Sequence, residues 1–161
     1  MKAFFKKLYH TRAGRWVLAG ALAAVWCLLI RATHLITFLN NDDTNILKTL
    51  AGYFTGEPYA SHPFINWLLG VFVNRLYRLL PDVRWWPLAH LVGLYLGSVA
   101  VTAAVLKTAA HKKLPLVFPL LAASAMMLLF FSYALVSMAF TLTAGVLGAG
   151  AFALFLAFGL G

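Results

Sequence analysis

Cysteine and acidic residues are both scarce in this chain. Of its 161 residues, one is cysteine, Cys27, and four are Asp or Glu, against 13 Lys and Arg. A single cysteine excludes an intrachain disulfide, a thiolate metal site and a redox pair, because each of these needs more than one thiol. Cys27 lies in an apolar run, where the expected role is that of a small buried residue.

Charge of either sign is also rare. Charged residues make up 11% of the chain and hydrophobic residues 63%, with a mean hydropathy of +0.86, whereas a soluble domain is about half apolar and about a quarter charged. This excess of hydrophobic residues excludes a soluble enzyme, a nucleic-acid-binding domain and a disordered tail, because a chain of this composition would aggregate in water. The composition predicts an all-α integral membrane protein. The net charge of +9 then reports topology and not a nucleic-acid partner.

Apolar runs predict about four transmembrane helices in a single membrane domain, each needing roughly 20 mainly apolar residues. The last 48 residues carry no charge, so two helices must share them, with a turn near residues 137–143. The first run continues too far to be a cleaved signal peptide and is expected to be a span. The predicted spans, preceded by a basic segment at 1–15, are 16–39, 87–106, 114–136 and 140–160.

The distribution of Lys and Arg predicts the orientation of these spans. Five of these residues precede the first span and three lie between Lys107 and Lys113, and such residues concentrate on the cytoplasmic side. We therefore expect a multi-pass protein of the cytoplasmic (inner) membrane with a cytoplasmic N-terminus. Residues 40–86, which contain all four acidic side chains, would form an extracytoplasmic loop.

This loop is predicted to contain two interfacial helices, at 44–54 and 64–80. The second is apolar enough to be mistaken for a span, but crossing would move the three lysines of the 107–113 turn outside, against the positive-inside bias. A narrow polar face is typical of a helix that lies on the membrane. The polar positions, which recur every four residues, are Asn66, Gly70, Asn74 and Arg78.

An acidic pair directly follows the first predicted span. Asn41, Asp42 and Asp43 are expected at the depth of the lipid headgroups. One interpretation is helix capping, in which an Asp accepts backbone N–H bonds at the start of the following helix. Capping needs only one carboxylate, so the other interpretation is a functional acid, with Asp42 and Asp43 as the candidate catalytic residues.

Arg31 and His34 lie in the outer half of the first predicted span. With Thr37 and Asn41 they follow helical spacing along one stripe that leads to the acidic pair. Polar groups at membrane depth usually face a cavity, pair with one another or reach the interface. The stripe predicts one wall of an outward-facing polar cavity; the alternatives are snorkelling of Arg31 and simple packing of His34.

Other side chains allow weaker inferences. Arg75, Arg78 and Arg84 could hold an anionic lipid or a diphosphate, since guanidinium binds phosphate oxygens in a fork; ordinary contact with membrane lipids is the alternative. No pair of histidines has metal-ligand spacing. The glycines of the last span, from Gly145 to Gly150, predict a surface for a helix-packing partner.

The loop sequence resembles the first outer loop of polytopic bacterial glycosyltransferases of the GT-C superfamily. The points of similarity are the acidic pair after the first span, the stretch Gly-Tyr-Phe-Thr-Gly-Glu-Pro, and the Phe-Ile-Asn, Leu-Gly, Leu-Tyr and Pro-x-x-x-Trp-Trp that follow. The match covers residues 40–86, about a third of the chain. Members of that superfamily usually have more spans than the four predicted here, which predicts either the N-terminal part of such an enzyme or a compact relative.

The resemblance implies transfer of a sugar from a polyprenyl-phosphate-linked donor to a surface glycan or lipid acceptor. It assigns the roles of catalytic base or metal-associated group to Asp42 and Asp43, with Mg or Mn as the possible cation. A base is needed because the acceptor hydroxyl loses its proton as it attacks. The predicted substrate-binding residues are Arg31, His34, Glu57, His62, Asn66, Arg75 and Arg78.

Two other functions are compatible with the same sequence. A non-catalytic membrane subunit or carrier could bind or translocate a polyprenyl-phosphate lipid, in which case the arginines would matter and the acids would not. A structural bundle could instead pack against partners through its glycine-rich last helix.

Overall fold

The computed structural model describes residues 2–35, 37–38, 41–63 and 65–159, and it is almost entirely helical. The predicted limits at Leu39, Asn40, Phe64 and Leu160 lie outside the described residues. Four helices are long and apolar enough to cross a membrane, as the sequence predicted, and the chain is a multi-pass membrane protein. These spans are Arg12–Thr33, Trp85–His111, Val117–Val136 and Phe140–Gly159.

Two of the spans are composite. The third consists of α6 (Val117–Met126), a π-helical turn and α7 (Ser132–Val136), and the fourth consists of α8 (Phe140–Leu154) and a second π-helical turn. The remaining elements, including two short strands, are α1 (Lys2–His10), α2 (Arg12–Thr33), β1 (Thr37–Phe38), α3 (Asn41–Ala51), α4 (Trp67–Leu79), α5 (Trp85–His111) and β2 (Ser137–Met138).

The first span is displaced toward the N-terminus relative to the predicted 16–39. It begins at Arg12 because the Thr11 side chain caps it, accepting a hydrogen bond from the Gly14 N–H. It ends at Thr33, and His34 is already extended, with φ −134° and ψ 143°. The stripe of Arg31, His34, Thr37 and Asn41 therefore does not follow one continuous helix, and that prediction is corrected.

The other described helix limits differ from prediction by at most five residues, and those at Val136 and Phe140 agree with it. α3 ends early because Gly52 adopts a φ of +85°, which glycine tolerates better than other residues. α4 begins where the Asn66 side chain accepts a hydrogen bond from the Leu68 N–H at 2.9 Å. The structure has helices at 41–51, 67–79, 85–111 and 117–136, where 44–54, 64–80, 87–106 and 114–136 were predicted; the last span, predicted at 140–160, begins at Phe140 and is described as far as Gly159.

The four spans alternate in direction between two ends of a bundle. At one end, which we call the basic end (residues 7–16, 107–116 and 157–159), the Tyr9 hydroxyl donates to the Leu114 carbonyl at 3.1 Å and Lys107 donates to the Ala157 carbonyl. The acidic end comprises the described residues of 31–90 and 136–143. There β1 pairs in parallel with β2, with Thr37 opposite Ser137. Both basic segments thus lie at the same end.

Small residues bring α5 and α8 together. A Cβ added to Gly97 would lie 2.7 Å from the Val146 carbonyl oxygen, and one added to Gly150 would lie 2.9 Å from the Gly97 carbonyl oxygen. Gly145 and Gly148 have nothing within 4 Å of such a Cβ. Of the predicted packing glycines, Gly150 packs inside the chain, and the GxxxG pair of α5, Gly93 and Gly97, was not anticipated.

α4 buries only the middle of its polar stripe. Gly70 and Asn74 are buried together with Val73 and Tyr77, and Gly70 packs against the Ala60 carbonyl, whereas the ends of the stripe, Asn66 and Arg78, are exposed. With 13 residues, α4 is about 20 Å long and too short for a hydrocarbon core of about 30 Å. Its large exposed apolar residues are Trp67, Leu68, Leu69, Phe72 and Leu79.

Candidate functional site

Asp43 is buried at the acidic end and caps α8, although it lies far from that helix in the sequence. Its side chain is fully buried, and its two oxygens lie 3.2 and 3.4 Å from the Phe140 N–H, which donates to them. The N-cap residue of α8, Ala139, has no side chain that could satisfy this orphan donor. A carboxylate at the positive end of the helix dipole therefore supplies the missing cap across 97 positions of sequence.

His90 and Thr143 extend this contact into the bundle. His90 Nε2 lies 3.3 Å from Asp43 Oδ1, and Nδ1 lies 2.7 Å from the Thr143 hydroxyl, which in turn donates to the Ala139 carbonyl at 3.1 Å. His90 and Thr143 are both buried. A polar network therefore joins α3, α5 and α8, an arrangement that fixes helix positions because each group would be costly to leave unpaired.

Trp86 closes the network on the side of α4. Its backbone N–H donates to the Tyr77 hydroxyl at 3.1 Å, and its ring meets the His90 ring edge-on at 4.7 Å between centroids. Burial raises the pKa of Asp43; the Phe140 N–H and the Trp86 indole oppose this by favouring the ionised form, and the Asp42 charge adds to the increase. Asp43 is thus a desolvated carboxylate held by fixed donors.

The two carboxylates of the acidic pair are therefore different. Capping was one interpretation of the pair, and the structure gives Asp43 a capping contact, although to α8 and not to its own helix α3. Asp42, in the first turn of α3, is half-buried. Asp42 is the member of the pair that a substrate could reach.

A pocket with two arginines opens beside α3. Its volume is about 460 Å³, and the side chains of Arg31 and Arg84 and the hydroxyl residues Thr37 and Thr44 line it. The apolar part of the lining consists of Phe38, Pro87, Leu91 and Met138. Two guanidinium groups and two hydroxyls are the donors that proteins use for phosphate oxygens. This pocket, which we call the arginine pocket, can hold an anionic headgroup.

His34 does not join Arg31 in this pocket. It is exposed, its Nδ1 lies 2.8 Å from the Thr33 hydroxyl, and it borders a separate cleft with Ser132 and Tyr133. The end of α2 at Thr33 causes this separation, since the chain changes direction there. The predicted cavity wall is thus divided between two depressions.

The predicted site residues of the loop and α4 lie apart from the arginine pocket. Asn66 caps α4, and Arg78 donates to the Pro58 carbonyl at 3.3 Å, which ties α4 to the loop. Glu57 and Arg75 are exposed, and His62 is half-buried. None of these five residues is among those that line the pocket.

The acidic pair does not fit a divalent cation. Within the described part of the chain, no group of three or more His, Cys, Asp or Glu residues could hold a metal ion. Both oxygens of Asp43 face a backbone donor, which a cation would have to displace. The described residues around the acidic pair therefore do not form a Mg or Mn site with several carboxylate ligands.

Several residues of the site were not selected from the sequence. Thr44 lines the arginine pocket, and His90, Thr143 and Trp86 surround Asp43. His90 carried a usable signal, because an ionisable residue within a span marks a site or a buried partner. The sequence predicts Arg84 as a possible phosphate-binding residue only in a group with Arg75 and Arg78.

No family model, curated protein or solved structure matches this chain.

Proposed function

We propose that this chain is a membrane glycosyltransferase, or part of one, that moves a sugar from a polyprenyl-phosphate-linked donor to a glycan or lipid acceptor. The observation that carries the proposal is the arginine pocket, to which α3 contributes Thr44, two residues after Asp42; neither Asp42 nor Asp43 is among its lining residues. The resemblance of residues 40–86 to the first outer loop of GT-C enzymes supports the same reaction.

The arginine pocket suits the phosphate end of such a donor. Arg31 lies in the last turn of α2 and Arg84 directly precedes α5, so both cations lie where apolar spans end. A lipid phosphate at this level would keep its hydrocarbon chain among the spans. When the sugar leaves, the phosphate gains charge, and two guanidinium groups would stabilise it as a leaving group.

Asp42 is the base in this mechanism. Its carboxylate accepts the proton of the acceptor hydroxyl while that oxygen forms a bond to the anomeric carbon and the bond from this carbon to the phosphate oxygen breaks. The electron pair of the broken bond remains on the lipid phosphate beside Arg31 and Arg84. Asp43 is a positioning residue, since its oxygens are already engaged at the start of α8.

Transfer on the extracytoplasmic face of the inner membrane requires that the acidic end lie outside. The Lys and Arg residues of the basic end support this orientation. In a Cys27→Ala background, Glu57→Cys would be labelled by an impermeant thiol reagent applied to intact cells. Labelling only in inverted membrane vesicles would contradict the orientation.

The test of function is sugar transfer in membranes supplied with polyprenyl-phosphate-linked sugars. Loss of general-base catalysis typically costs about 100-fold or more, so Asp42→Asn should lower transfer by at least that factor at matched expression. Asp82→Asn is the control, because Asp82 is an exposed acid of the same end. Equal transfer by the native chain and Asp42→Asn would refute the assignment of Asp42 as the base.

A non-catalytic lipid-binding subunit is the second candidate, and the lining of the arginine pocket favours it, because neither Asp42 nor Asp43 is among the lining residues. This candidate predicts that the native chain binds a polyprenyl phosphate but transfers no sugar. It also predicts that Asp42→Asn binds the lipid as tightly as the native chain does.

A further inference from the structure

A second depression continues from the arginine pocket toward the middle of the membrane. It lies between α2 and α5, has a volume of about 390 Å³ and is almost entirely apolar. Arg31 and Leu91 line both depressions, so the two meet at these side chains. The other residues of this groove, which we call the α2–α5 groove, are Ala24, Cys27, Leu28, Val92 and Tyr95.

The two depressions together are polar at one end and apolar at the other. The cationic end lies at the level where α2 ends, and the apolar end extends downward along α2 to Ala24, about two helical turns below Arg31. An amphiphile with an anionic head has the matching pattern. Because Arg31 lies at the junction, a phosphate bound there would direct its chain into the groove.

We propose that the α2–α5 groove binds the hydrocarbon chain of a lipid whose phosphate occupies the arginine pocket, and that this lipid is a single-chain polyprenyl phosphate. This proposal rests on the proposed function and adds the location of the lipid's hydrocarbon chain. The groove follows the line of contact between two helices, a shape that accommodates one chain more readily than two. Ordinary two-chain phospholipids are therefore the competing occupants.

Two valines permit a matched test. Val92 lines the groove and is 49% exposed, whereas Val25 is 51% exposed and is not among the groove residues. Val92→Trp fills the groove with the same change in side-chain volume that Val25→Trp makes on open lipid-facing surface. Thermal unfolding of each variant in detergent checks that the substitution leaves the fold intact.

The experiment measures dissociation constants of the purified chain in nanodiscs for a polyprenyl monophosphate and for a prenyl phosphate too short to reach below Arg31. Each methylene that the groove buries contributes to affinity. Val92→Trp should therefore raise the dissociation constant of the long-chain lipid about tenfold. Binding of the short phosphate should change less than about twofold, as should long-chain binding to Val25→Trp.

The outcomes separate the groove from the proposed function. Unchanged long-chain binding in Val92→Trp, with binding still dependent on Arg31, would refute the groove and leave the headgroup site in place. Equal weakening by both tryptophans would also refute the groove. Binding of phosphatidic acid as tight as that of the polyprenyl phosphate would overturn the single-chain assignment. Failure of the native chain to bind either prenyl phosphate would refute the proposed function itself.

Discussion

Cations at the basic end contact the chain itself, whereas two arginines at the acidic end border an open pocket. Lys107 donates to the Ala157 carbonyl and lies 4.2 Å from the centre of the Phe158 ring, and Arg15 donates to the Tyr9 carbonyl at 3.2 Å. Arg31 and Arg84 instead line a volume of about 460 Å³. Lys107 and Arg15 therefore hold the chain together at one end, whereas Arg31 and Arg84 are available to a ligand at the other.

The acidic end also combines two uses of a carboxylate. Asp43 is fully buried and completes the start of α8, while its neighbour Asp42 is half-buried. A buried carboxylate with fixed donors positions helices, and an accessible carboxylate can exchange a proton with a substrate. Adjacent residues of the same type can thus differ in role because their surroundings differ.

The largest expected effect sharpens the comparison of the two ends. Each hydrogen bond to a charged group contributes about 1.5–3 kcal/mol, so the double substitution Arg31→Gln and Arg84→Gln should weaken binding of a polyprenyl phosphate by about 100-fold or more. The matched double substitution of two exposed lysines at the basic end, Lys7→Gln and Lys113→Gln, should change it less than about twofold. Equal losses in equilibrium binding measurements would show that the ends do not differ in this respect.

A smaller effect tests the structural use of Asp43. Asp43→Ala leaves the Phe140 N–H without its acceptor and removes the carboxylate that lies 3.3 Å from His90 Nε2, and an unsatisfied buried polar group costs about 1–3 kcal/mol. The free energy of unfolding should fall by that amount. Asp82→Ala, which removes an exposed acid, should change it by less than about 0.5 kcal/mol. Unfolding in detergent followed by circular dichroism measures both, and equal stability of the two variants would contradict the capping role.

The smallest effect is a dependence on pH. Because burial raises the pKa of Asp43, the folded state binds this proton more tightly than the unfolded state, where the pKa is about 3.9. Stability should therefore decrease as the pH rises from about 3.9 through the raised pKa. Asp43→Asn removes this contribution, so the native chain should gain stability relative to this variant on acidification. A difference that is constant with pH would contradict the raised pKa.

The spans were predictable from the sequence because length and hydropathy decide whether a helix can cross a membrane. Their ends were less predictable, because caps decide them. Thr11 starts α2 four residues before the apolar run at Trp16, and the chain leaves the helix at His34 although apolar residues continue. Hydropathy records the composition of a segment and not the hydrogen bonds that begin and end a helix.

The site was predictable only in part. The acidic pair and Arg31 could be selected by position. Placing a charged side chain at membrane depth costs free energy, so such residues usually have a partner or a function. The partners of Asp43 come from helices 47 and 97 residues away, at His90 and Phe140, and local sequence carries no information on that contact. Arg84, which precedes α5, and Thr44 of α3 line the same pocket as Arg31 only in the folded chain.

The long-range cap of α8 also has a consequence for the order of assembly. Asp43 is synthesised 97 residues before Phe140, so the acceptor exists before the helix that needs it. The first turn of the last described span gains this acceptor only when it docks onto α3. Substitution of Asp43 would consequently weaken a late step of assembly, after the earlier spans have entered the bilayer.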